Sequence, residues 1–256
     1  MIQNGFNSAY TNMAIDEAIL VSRIQAIVPN TVRFYRWKPS AVSVGFSQEI
    51  MKEVEVETCK SLGVDIVRRP TGGGTVYHDS LGELTYAIVA DLQDVPSDLI
   101  SSYSYLCQGI IWACRELGLE AQLTFDETGR QCPNITVNGK KISGGAQTRR
   151  RNALLQHGTI LIDSDLEAMT RLLKMGSADA CMPLERLQSK VTTLRRELQS
   201  PVSLEKAEDC LRIGFEHALG MKLVGGKLTS AELNLASELC HNKYETNDWN
   251  FRRCAR

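Results

Sequence analysis

Apolar residues recur along much of the chain at the spacing of helices. Over residues 13–24, Ala14, Ile15, Ala18 and Ile19 fall on one face at three- and four-residue intervals, which predicts an amphipathic helix. Ser164 and Glu167 have the spacing of a capping box at the start of a later helix. The same spacing predicts further helices over residues 51–62, 99–117, 165–173, 204–219 and 230–243.

Other segments alternate apolar and polar residues and are rich in β-branched and aromatic side chains, which is typical of strands. Asn138-Gly139 is a strong hairpin signal between two such segments, because both residues tolerate the positive φ of a tight turn. Strands are predicted over residues 31–35, 41–45, 64–67, 84–89, 135–137, 141–143, 154–162 and 221–224.

This mixture of strand pairs and helices predicts an α/β or α+β fold with a largely antiparallel sheet. The segment GSADACMPLERLQSK, after Met175, is small and polar, and we interpret it as a linker. We therefore expect a main domain over residues 1–178 and a small C-terminal domain over residues 183–256.

Composition and charge narrow the kinds of function that this chain can have. Hydrophobic residues make up 43% of the 256 residues and charged residues 23%, as in ordinary globular proteins, and the formal net charge of −1 gives no basic field for nucleic acid. No apolar run is long enough to span a membrane, and the start of the chain lacks the pattern of a secretory signal. The eight cysteines form no CxxC pair, so we expect reduced thiols in the cytoplasm and no metal site.

The segment RRPTGGGTVYHD, residues 68–79, combines backbone freedom with charge. Consecutive glycines let main-chain N–H groups approach an anion or an extended chain closely, and the segment is neither a Walker A loop nor a GxGxxG loop. Neighbouring side chains of a strand point to opposite sides, so either Arg68 or Arg69 can face inward. His78 beside Asp79 is a candidate general base, or it orients the loop; a strained turn remains the alternative for the glycines.

The hairpin NGKKISGG places Lys140 and Lys141 at successive strand positions, so one of them faces away from solvent if the strand is half-buried. Ile142 is expected to share the face of Lys140, and the pattern does not decide which face is the core. A cation in a cleft suits the chemistry of an acyl phosphate, whereas the alternative is a solvated hairpin lysine.

Five segments together resemble the lipoate–protein ligase A and octanoyltransferase superfamily, which is related to biotin protein ligases. The C-terminal KYETNDWN also looks like the tail of bacterial and archaeal members. The five segments are NMAIDEAIL, VRFYRWKPSAVSVGFSQ, VRRPTGGGTVYHD, LTYAIV and NGKKISGGAQTRRRNALLQHGTILID. The resemblance implies an α+β fold, with a mixed, largely antiparallel sheet flanked by helices and a tunnel for an eight-carbon acyl chain.

The resemblance also implies the site residues. Lys141 matches the lysine that contacts the acyl carbonyl and the phosphate. The acyl or lipoate end is assigned to Arg69, Gly72, Gly73, Gly74, His78, Gly144 and His157. The nucleotide end is assigned to Thr75, Val76, Tyr77, Asp79, Ala146 and again Lys141.

Two chemistries share this superfamily. The loop GGGTVYHD looks like that of ligases, and on this basis we expect an ATP-dependent lipoate–protein ligase that uses Mg²⁺ and makes lipoyl-adenylate. The expected acceptor is a lipoyl-carrier protein, either a glycine-cleavage H-like protein or a dehydrogenase E2 lipoyl domain. No nucleic acid or membrane partner is expected, and we expect a monomer.

The alternative is an octanoyl transferase, or a lipoyl or octanoyl amidotransferase, that works from acyl-carrier protein through a thioester on Cys132. The segment SGGAQTRRRNALLQHGTILID is closer to octanoyltransferases, but Cys132 lies nearer the lysine hairpin than their pattern places the nucleophile. Cys132 as an unreactive loop thiol, a biotin-type ligase and an idle lipoate-binding protein also remain open. For a ligase, the C-terminal domain is expected to close over the adenylate site.

Overall fold

The computed structural model describes residues 1–125, 132–174 and 183–253. The strands are β1 (Ile2–Asn7), β2 (Thr31–Trp37), β3 (Ala41–Val44), β4 (Asp65–Arg68), β5 (Val76–His78), β6 (Glu83–Asp91), β7 (Ala121–Thr124), β8 (Asn134–Val137), β9 (Lys140–Arg150) and β10 (Ala153–Leu161). The helices are α1 (Ala9–Ile24), α2 (Ile50–Glu53), α3 (Val56–Ser61), α4 (Leu99–Glu116), α5 (Leu166–Leu172), α6 (Leu184–Gln188), α7 (Leu194–Leu198), α8 (Leu204–Leu219), α9 (Ser230–Leu239) and α10 (Asn247–Asn250).

A seven-stranded sheet runs through the molecule in the order β1-β2-β6-β10-β9-β8-β7. Within this sheet, the described strands pair in parallel only at β1–β2, so the predicted mixed, largely antiparallel sheet flanked by helices is confirmed. Helices α1 and α9 cover one face, and α4 and α8 cover the other. Alternate side chains of β2 and β6 point to opposite faces and contribute to both apolar cores, as expected for a sheet buried on two sides.

The C-terminal helix α8 packs closely against α4. A Cβ on Gly109 of α4 would lie 2.2 Å from the ring of Phe215, and one on Gly214 of α8 would lie 2.2 Å from the Gly109 carbonyl oxygen. The two glycines let the helix backbones touch, which brings residues after position 183 into the same apolar core as the main sheet. The division into two domains at residues 178 and 183 stays a prediction.

A second, three-stranded sheet in the order β4-β3-β5 carries the glycine segment. Strand β3 is parallel to β4 and antiparallel to β5, and residues 69–75 connect the two outer strands. Val42, Val44 and Ile66 of this sheet share a core with α3, α5 and α6. This smaller layer forms the wall opposite the main sheet at the candidate site.

Several local predictions are corrected. The helix predicted over residues 51–62 is two short helices, α2 and α3, because Val54 between them forms a β-bridge with Leu173. The segment 221–224 forms no strand; it is held by single contacts instead, including a hydrogen bond from the Leu223 N–H to Glu216. The helix predicted over residues 230–243 ends as α-helix at Leu239 and continues as a π-helical turn.

The start of α5 also differs from prediction. Asp165, rather than Ser164, accepts hydrogen bonds from the first free N–H groups of the helix, and the Ser164 hydroxyl donates to the Gly82 carbonyl. A carboxylate is favourable at this position because the helix dipole places partial positive charge at the N-terminus of the helix. Part of the predicted linker, with Cys181, and the C-terminal Cys254 lie outside the described residues, whereas residues 184–188 of that linker form α6.

None of the helices within the described ranges is long and apolar enough to cross a membrane.

Candidate active site

A cavity of about 880 Å³ lies where the glycine segment of the small sheet faces β9 and β10 of the main sheet. The two stretches singled out in the sequence therefore lie on two walls of one space. Thirteen of the predicted site residues line it, namely Arg69, Gly72, Gly73, Gly74, Thr75, Val76, Tyr77, His78, Cys132, Lys141, Gly144, Ala146 and His157.

Asp79 is the predicted site residue that does not line this cavity. Its carboxylate accepts hydrogen bonds from the backbone N–H groups of Leu81 and Asp165 instead. Asp79 therefore connects the turn after β5 with the start of α5, and the structure gives it no contact with the cavity.

Arg69 is buried behind the glycine segment. Its guanidinium donates to the carbonyl oxygens of Gly72 (2.8 Å) and Gly74 (2.5 Å), and to that of Ser43 (3.1 Å). The ion pairs formed by the described residues include none with Arg69, and burial lowers the pKa of its guanidinium to about 10. Arg69 therefore fixes the turn of the glycines while leaving a positive charge uncompensated at the cavity.

Lys141 faces Arg69 from the main sheet. The predicted hairpin turn at Asn138-Gly139 is confirmed, with positive φ at both residues. Ile142 is an extra residue in the β8–β9 ladder, and it enters the core while Lys141 lines the cavity. Lys140 pairs with the core residue Val137, which agrees with the predicted sharing of a face by Lys140 and Ile142. The predicted pairing of Lys141 with Ser143 is wrong, because Ser143 pairs with the core residue Ile135.

The ammonium of Lys141 lies close to the Gly144 backbone. A Cβ on Gly144 would lie 2.5 Å from its Nζ, so only glycine at position 144 leaves this rotamer free. The Lys141 backbone is bound on its other side, where its N–H donates to the Lys190 carbonyl and its C=O accepts from the Thr192 N–H. Burial, and then the charge of Arg69, lower the pKa of the Lys141 amine. No described ion pair neutralises it.

His78 is held in a buried chain of hydrogen bonds. Its Nε2 contacts the Ser43 hydroxyl at 2.8 Å, and its Nδ1 contacts Glu83 at 2.7 Å. The ring also stacks on Trp37, with 3.9 Å between centroids. Because both ring nitrogens are engaged, His78 is arranged to orient Ser43 and the loop rather than to take a proton from a substrate directly.

His157 has a matching arrangement on β10. Its Nε2 contacts the Thr71 hydroxyl at 2.7 Å, and its Nδ1 contacts Asp16 of α1 at 2.9 Å. Burial lowers the pKa of the His157 ring despite the opposing effect of Asp16. Burial alone would raise the pKa of the Asp16 carboxyl, but Arg33 and then His157 hold it below its usual value. The network ties the start of the glycine segment to the main sheet and α1.

Cys132 is the cysteine that lines the cavity among those the structure describes. It is half-buried and packs against the main core. Burial raises the pKa of its thiol, and burial also raises the pKa of Cys107 and Cys114 to about 12. A reactive thiolate at position 132 thus needs a substrate or a cation to favour the charged form.

Sequence reasoning missed several residues that line the cavity. Trp37 and Thr85 come from β2 and β6, where their alternation predicted only strands. Leu187 and Lys190 belong to the segment interpreted as a linker, and Val191 directly follows it; the composition of this stretch carries no local signal of a site. Their contribution depends on the pairing of this segment with Lys141.

The combination of a largely antiparallel sheet, a smaller sheet and a cavity lined by glycine backbone and two cations defines a class of acyl-handling enzymes. The family model of the lipoyl protein ligase A/B catalytic domain matches residues 8–216, so the chain belongs to this family of enzymes. The predicted resemblance is confirmed.

Relatives and solved structures give a finer picture. The octanoyltransferase LipM of Kyrpidia tusciae is 37% identical over 272 residues, covering 99% of this chain and 98% of the relative. The bi-partite lipoate protein ligase of Thermoplasma acidophilum, described with its E2 lipoyl domain, superposes with a TM-score of 0.86 at 27% identity and covers 100% of this chain and 97% of the other. A lipoate-protein ligase A bound with ATP gives a TM-score of 0.83 at 28% identity, covering 97% and 96%.

These relatives correct the predicted activity. The glycine loop led us to expect an ATP-dependent ligase. The octanoyltransferase of Kyrpidia tusciae, however, is 37% identical over almost its full length, whereas the two lipoate protein ligases are 27% and 28% identical. The ligase prediction is therefore wrong, and octanoyl transfer, the alternative, is better supported. The loop misled because three glycines set the freedom of the backbone and carry no information about whether the acyl donor is a free acid or a thioester.

Proposed function

We propose that this chain transfers an octanoyl group from the thioester of an acyl-carrier protein to a lysine of a lipoyl-carrier domain. The observation that carries the proposal is the similarity to an octanoyltransferase along almost the whole of both chains. The acceptor is proposed because a structural relative is described together with its E2 lipoyl domain.

The cavity suits an eight-carbon chain. Its volume of about 880 Å³ exceeds that of the acyl group, and the apolar side chains of Met13, Leu161 and Leu187 line it together with glycine backbone. Each buried methylene contributes about 0.8 kcal/mol, so the alkyl chain supplies much of the binding free energy. The remaining space is available to the carrier's pantetheine arm or the acceptor lysine.

The two cations supply the polar end of the site. When a nucleophile attacks the thioester carbonyl, negative charge develops on its oxygen, and a preformed donor in a region sheltered from water stabilises that charge. Lys141 is proposed as this donor because its ammonium lies beside Gly144 at the cavity and forms no ion pair with the residues that the structure describes. Arg69 adds positive potential and holds residues 72–75, which form the glycine wall of the cavity.

A thiol intermediate is the second part of the proposal. The Cys132 thiolate attacks the donor carbonyl, a new thioester forms on Cys132, and the carrier leaves as its thiol. The acceptor amine then attacks this thioester, an amide forms, and Cys132 is released as thiolate. Cys132 is chosen by location, because it lines the same cavity as the cations Lys141 and Arg69, whose positive charge favours a thiolate.

The first experiment distinguishes an activated donor from a free acid. Purified protein is mixed with octanoyl-carrier protein and a lipoyl domain without ATP, and the mass of the lipoyl domain is measured. We expect a gain of one octanoyl group, because the thioester is already activated. Modification that appears only with free octanoate or lipoate plus ATP and Mg²⁺ contradicts the proposal.

The second experiment tests the thiol step. Incubation with octanoyl-carrier protein alone is expected to add one hydroxylamine-sensitive octanoyl group to the enzyme, located at Cys132 by peptide mass spectrometry. Cys132→Ser should lose it, whereas Cys240→Ser, a half-buried thiol outside the cavity lining, should keep it. Full transfer activity in Cys132→Ser refutes the thiol step but leaves direct octanoyl transfer standing.

A further inference from the structure

Arg68, next to the cavity arginine Arg69, points away from the cavity and is also fully buried. Its guanidinium donates to five backbone carbonyl oxygens and to no carboxylate among the described residues. Three acceptors belong to the loop after β3, and two belong to the C-terminal turn around α10: Gly45, Phe46, Gln48, Trp249 and Asn250.

The backbone of Arg68 is held by the same C-terminal turn. Its N–H donates to the Asn250 side-chain oxygen at 2.7 Å, and its carbonyl accepts from the Trp249 indole N–H at 2.8 Å. Strand β4 lies at the edge of the small sheet, so these side chains occupy the groups that another strand would pair with. Residues 180 positions away thereby complete the edge of this sheet.

The loop after β3 in turn supports the glycine wall. The Phe46 N–H donates to the Thr71 carbonyl at 2.9 Å, and Gln48 Oε1 accepts from the Thr75 hydroxyl at 3.1 Å. A Cβ on Gly45 would lie only 2.1 Å from the Gly73 carbonyl oxygen, so the two backbones are in direct contact. A shift of this loop therefore moves the cavity wall at residues 72–75.

We propose that Arg68 and Asn250 are positioning residues for acyl transfer: the C-terminal turn, residues 246–250, sets the position of the cavity wall, residues 72–75, through the Arg68 guanidinium. Neither residue lines the cavity. A cation bound to five carbonyls is suited to this task because its planar fork fixes several loops at once in one geometry. The inference rests on the proposed function for its kinetic consequences but not for its structural ones.

The test uses two substitutions in the full chain. Asn250→Ala removes the side-chain oxygen that accepts from Arg68, and Trp249→Phe removes the indole N–H that donates to the Arg68 carbonyl while keeping an aromatic ring, although a smaller one. Asn247→Ala, an exposed asparagine in the same turn, is the matched control. Two quantities are measured, namely amide hydrogen exchange of the peptide covering residues 71–76 and transfer kinetics with carriers bearing six, eight or ten carbons.

We expect Asn250→Ala to speed exchange in residues 71–76 and to raise KM for the octanoyl donor by on the order of tenfold, with kcat nearly unchanged. The preference for eight carbons should weaken, since the wall no longer has one position. Trp249→Phe should show the same changes to a smaller extent, and Asn247→Ala should match the parent protein.

The outcomes separate the two proposals. If exchange and KM match the control in folded Asn250→Ala and Trp249→Phe, the turn is only structural and the inference is wrong, whatever happens to melting temperature. If Asn250→Ala does not fold, Trp249→Phe decides by the same two measurements. Faster exchange at residues 71–76 in a protein that never transfers octanoyl supports the positioning and rejects the proposed function instead.

Discussion

The two walls of the cavity are built in opposite ways. On the glycine wall, Arg69 and Arg68 are saturated by backbone carbonyls, and Thr71 is tied through His157 to Asp16. The opposite wall, here called the lysine wall, is formed by β9 and β10. There a β-bulge accompanies the entry of Lys141 into the cavity, and the ammonium forms no ion pair with the described residues.

This difference separates positioning from chemistry. The cations of the glycine wall donate their hydrogen bonds to the protein itself, so they determine the shape of this side of the cavity. The cation of the lysine wall remains available to a substrate oxygen, so it is the one suited to stabilise developing charge. Substitutions on the glycine wall should therefore affect stability and KM, whereas those on the lysine wall should affect kcat.

Removing the Lys141 amine should have the largest effect. Lys141→Ala is expected to lower kcat for octanoyl transfer by about a thousandfold, because one preformed donor to a developing oxyanion contributes about that much. Steady-state kinetics provide the measurement. Lys140→Ala, the neighbouring lysine of the same hairpin, is the control and should retain activity; equal losses in both variants would show that the hairpin acts only through net charge.

Gly45→Ala should disturb the glycine wall. The new Cβ would meet the Gly73 carbonyl oxygen at 2.1 Å, and because backbone must move, we expect a loss of about 1–3 kcal/mol in the free energy of unfolding. Urea denaturation measures it. Gly225→Ala has nothing within 4 Å of its new Cβ and should change little. An unchanged midpoint for Gly45→Ala would mean that the two loops are not packed as described.

Gly144→Ala should lower activity with little loss of stability, unlike Gly45→Ala. Its Cβ would meet the end of the Lys141 side chain, which can swing away, so stability should change by less than about 1 kcal/mol. The displaced ammonium should nevertheless lower kcat by roughly tenfold. Adding Gly144→Ala to Lys141→Ala should then cost nothing more. A further loss in the double variant would show that Gly144 acts independently of the lysine.

The smallest effect is a pH dependence from His157, the β10 residue that holds Thr71 at the start of the glycine segment. The pKa of His157 is lowered in the folded protein, so below about pH 6.5 the unfolded chain binds more protons than the folded one. The free energy of unfolding should fall as pH decreases through this range, by at most about 1.4 kcal/mol per pH unit for this residue. Urea titrations at several pH values measure the slope, which His157→Gln should reduce; an unaltered slope would assign it to other groups.

Much of the architecture was predictable from local pattern. Periodicity located α1, α4 and α8, because each buries a continuous stripe of apolar residues, and Asn138-Gly139 marked the hairpin. Patterns failed where a tertiary contact outweighs local preference. The bulge at Ile142 and the interruption at Val54 both depend on a partner strand or segment distant in the sequence.

Part of the candidate site was also predictable from local composition. Glycine and arginine in the segment 68–74 indicated a ligand wall because few other roles require that composition. The contributions of Leu187 and Val191, and of the C-terminal turn around Asn250, had no local signal, since ordinary polar and aliphatic residues become site components only through contact.

By itself, the sequence determined which residue types were available: a run of glycines, two adjacent arginines and a hairpin lysine, whose chemistry favours an acyl or anionic ligand in any fold. The resemblance pointed to Arg69 and Lys141, but the residue pattern left each pair open. The tertiary structure decided that Arg69 faces the cavity while Arg68 faces the C-terminal turn, and that Lys141 rather than Lys140 lines the cavity. The physical reason is that side-chain direction depends on strand register and on burial against distant segments, and these are fixed by packing of the whole chain.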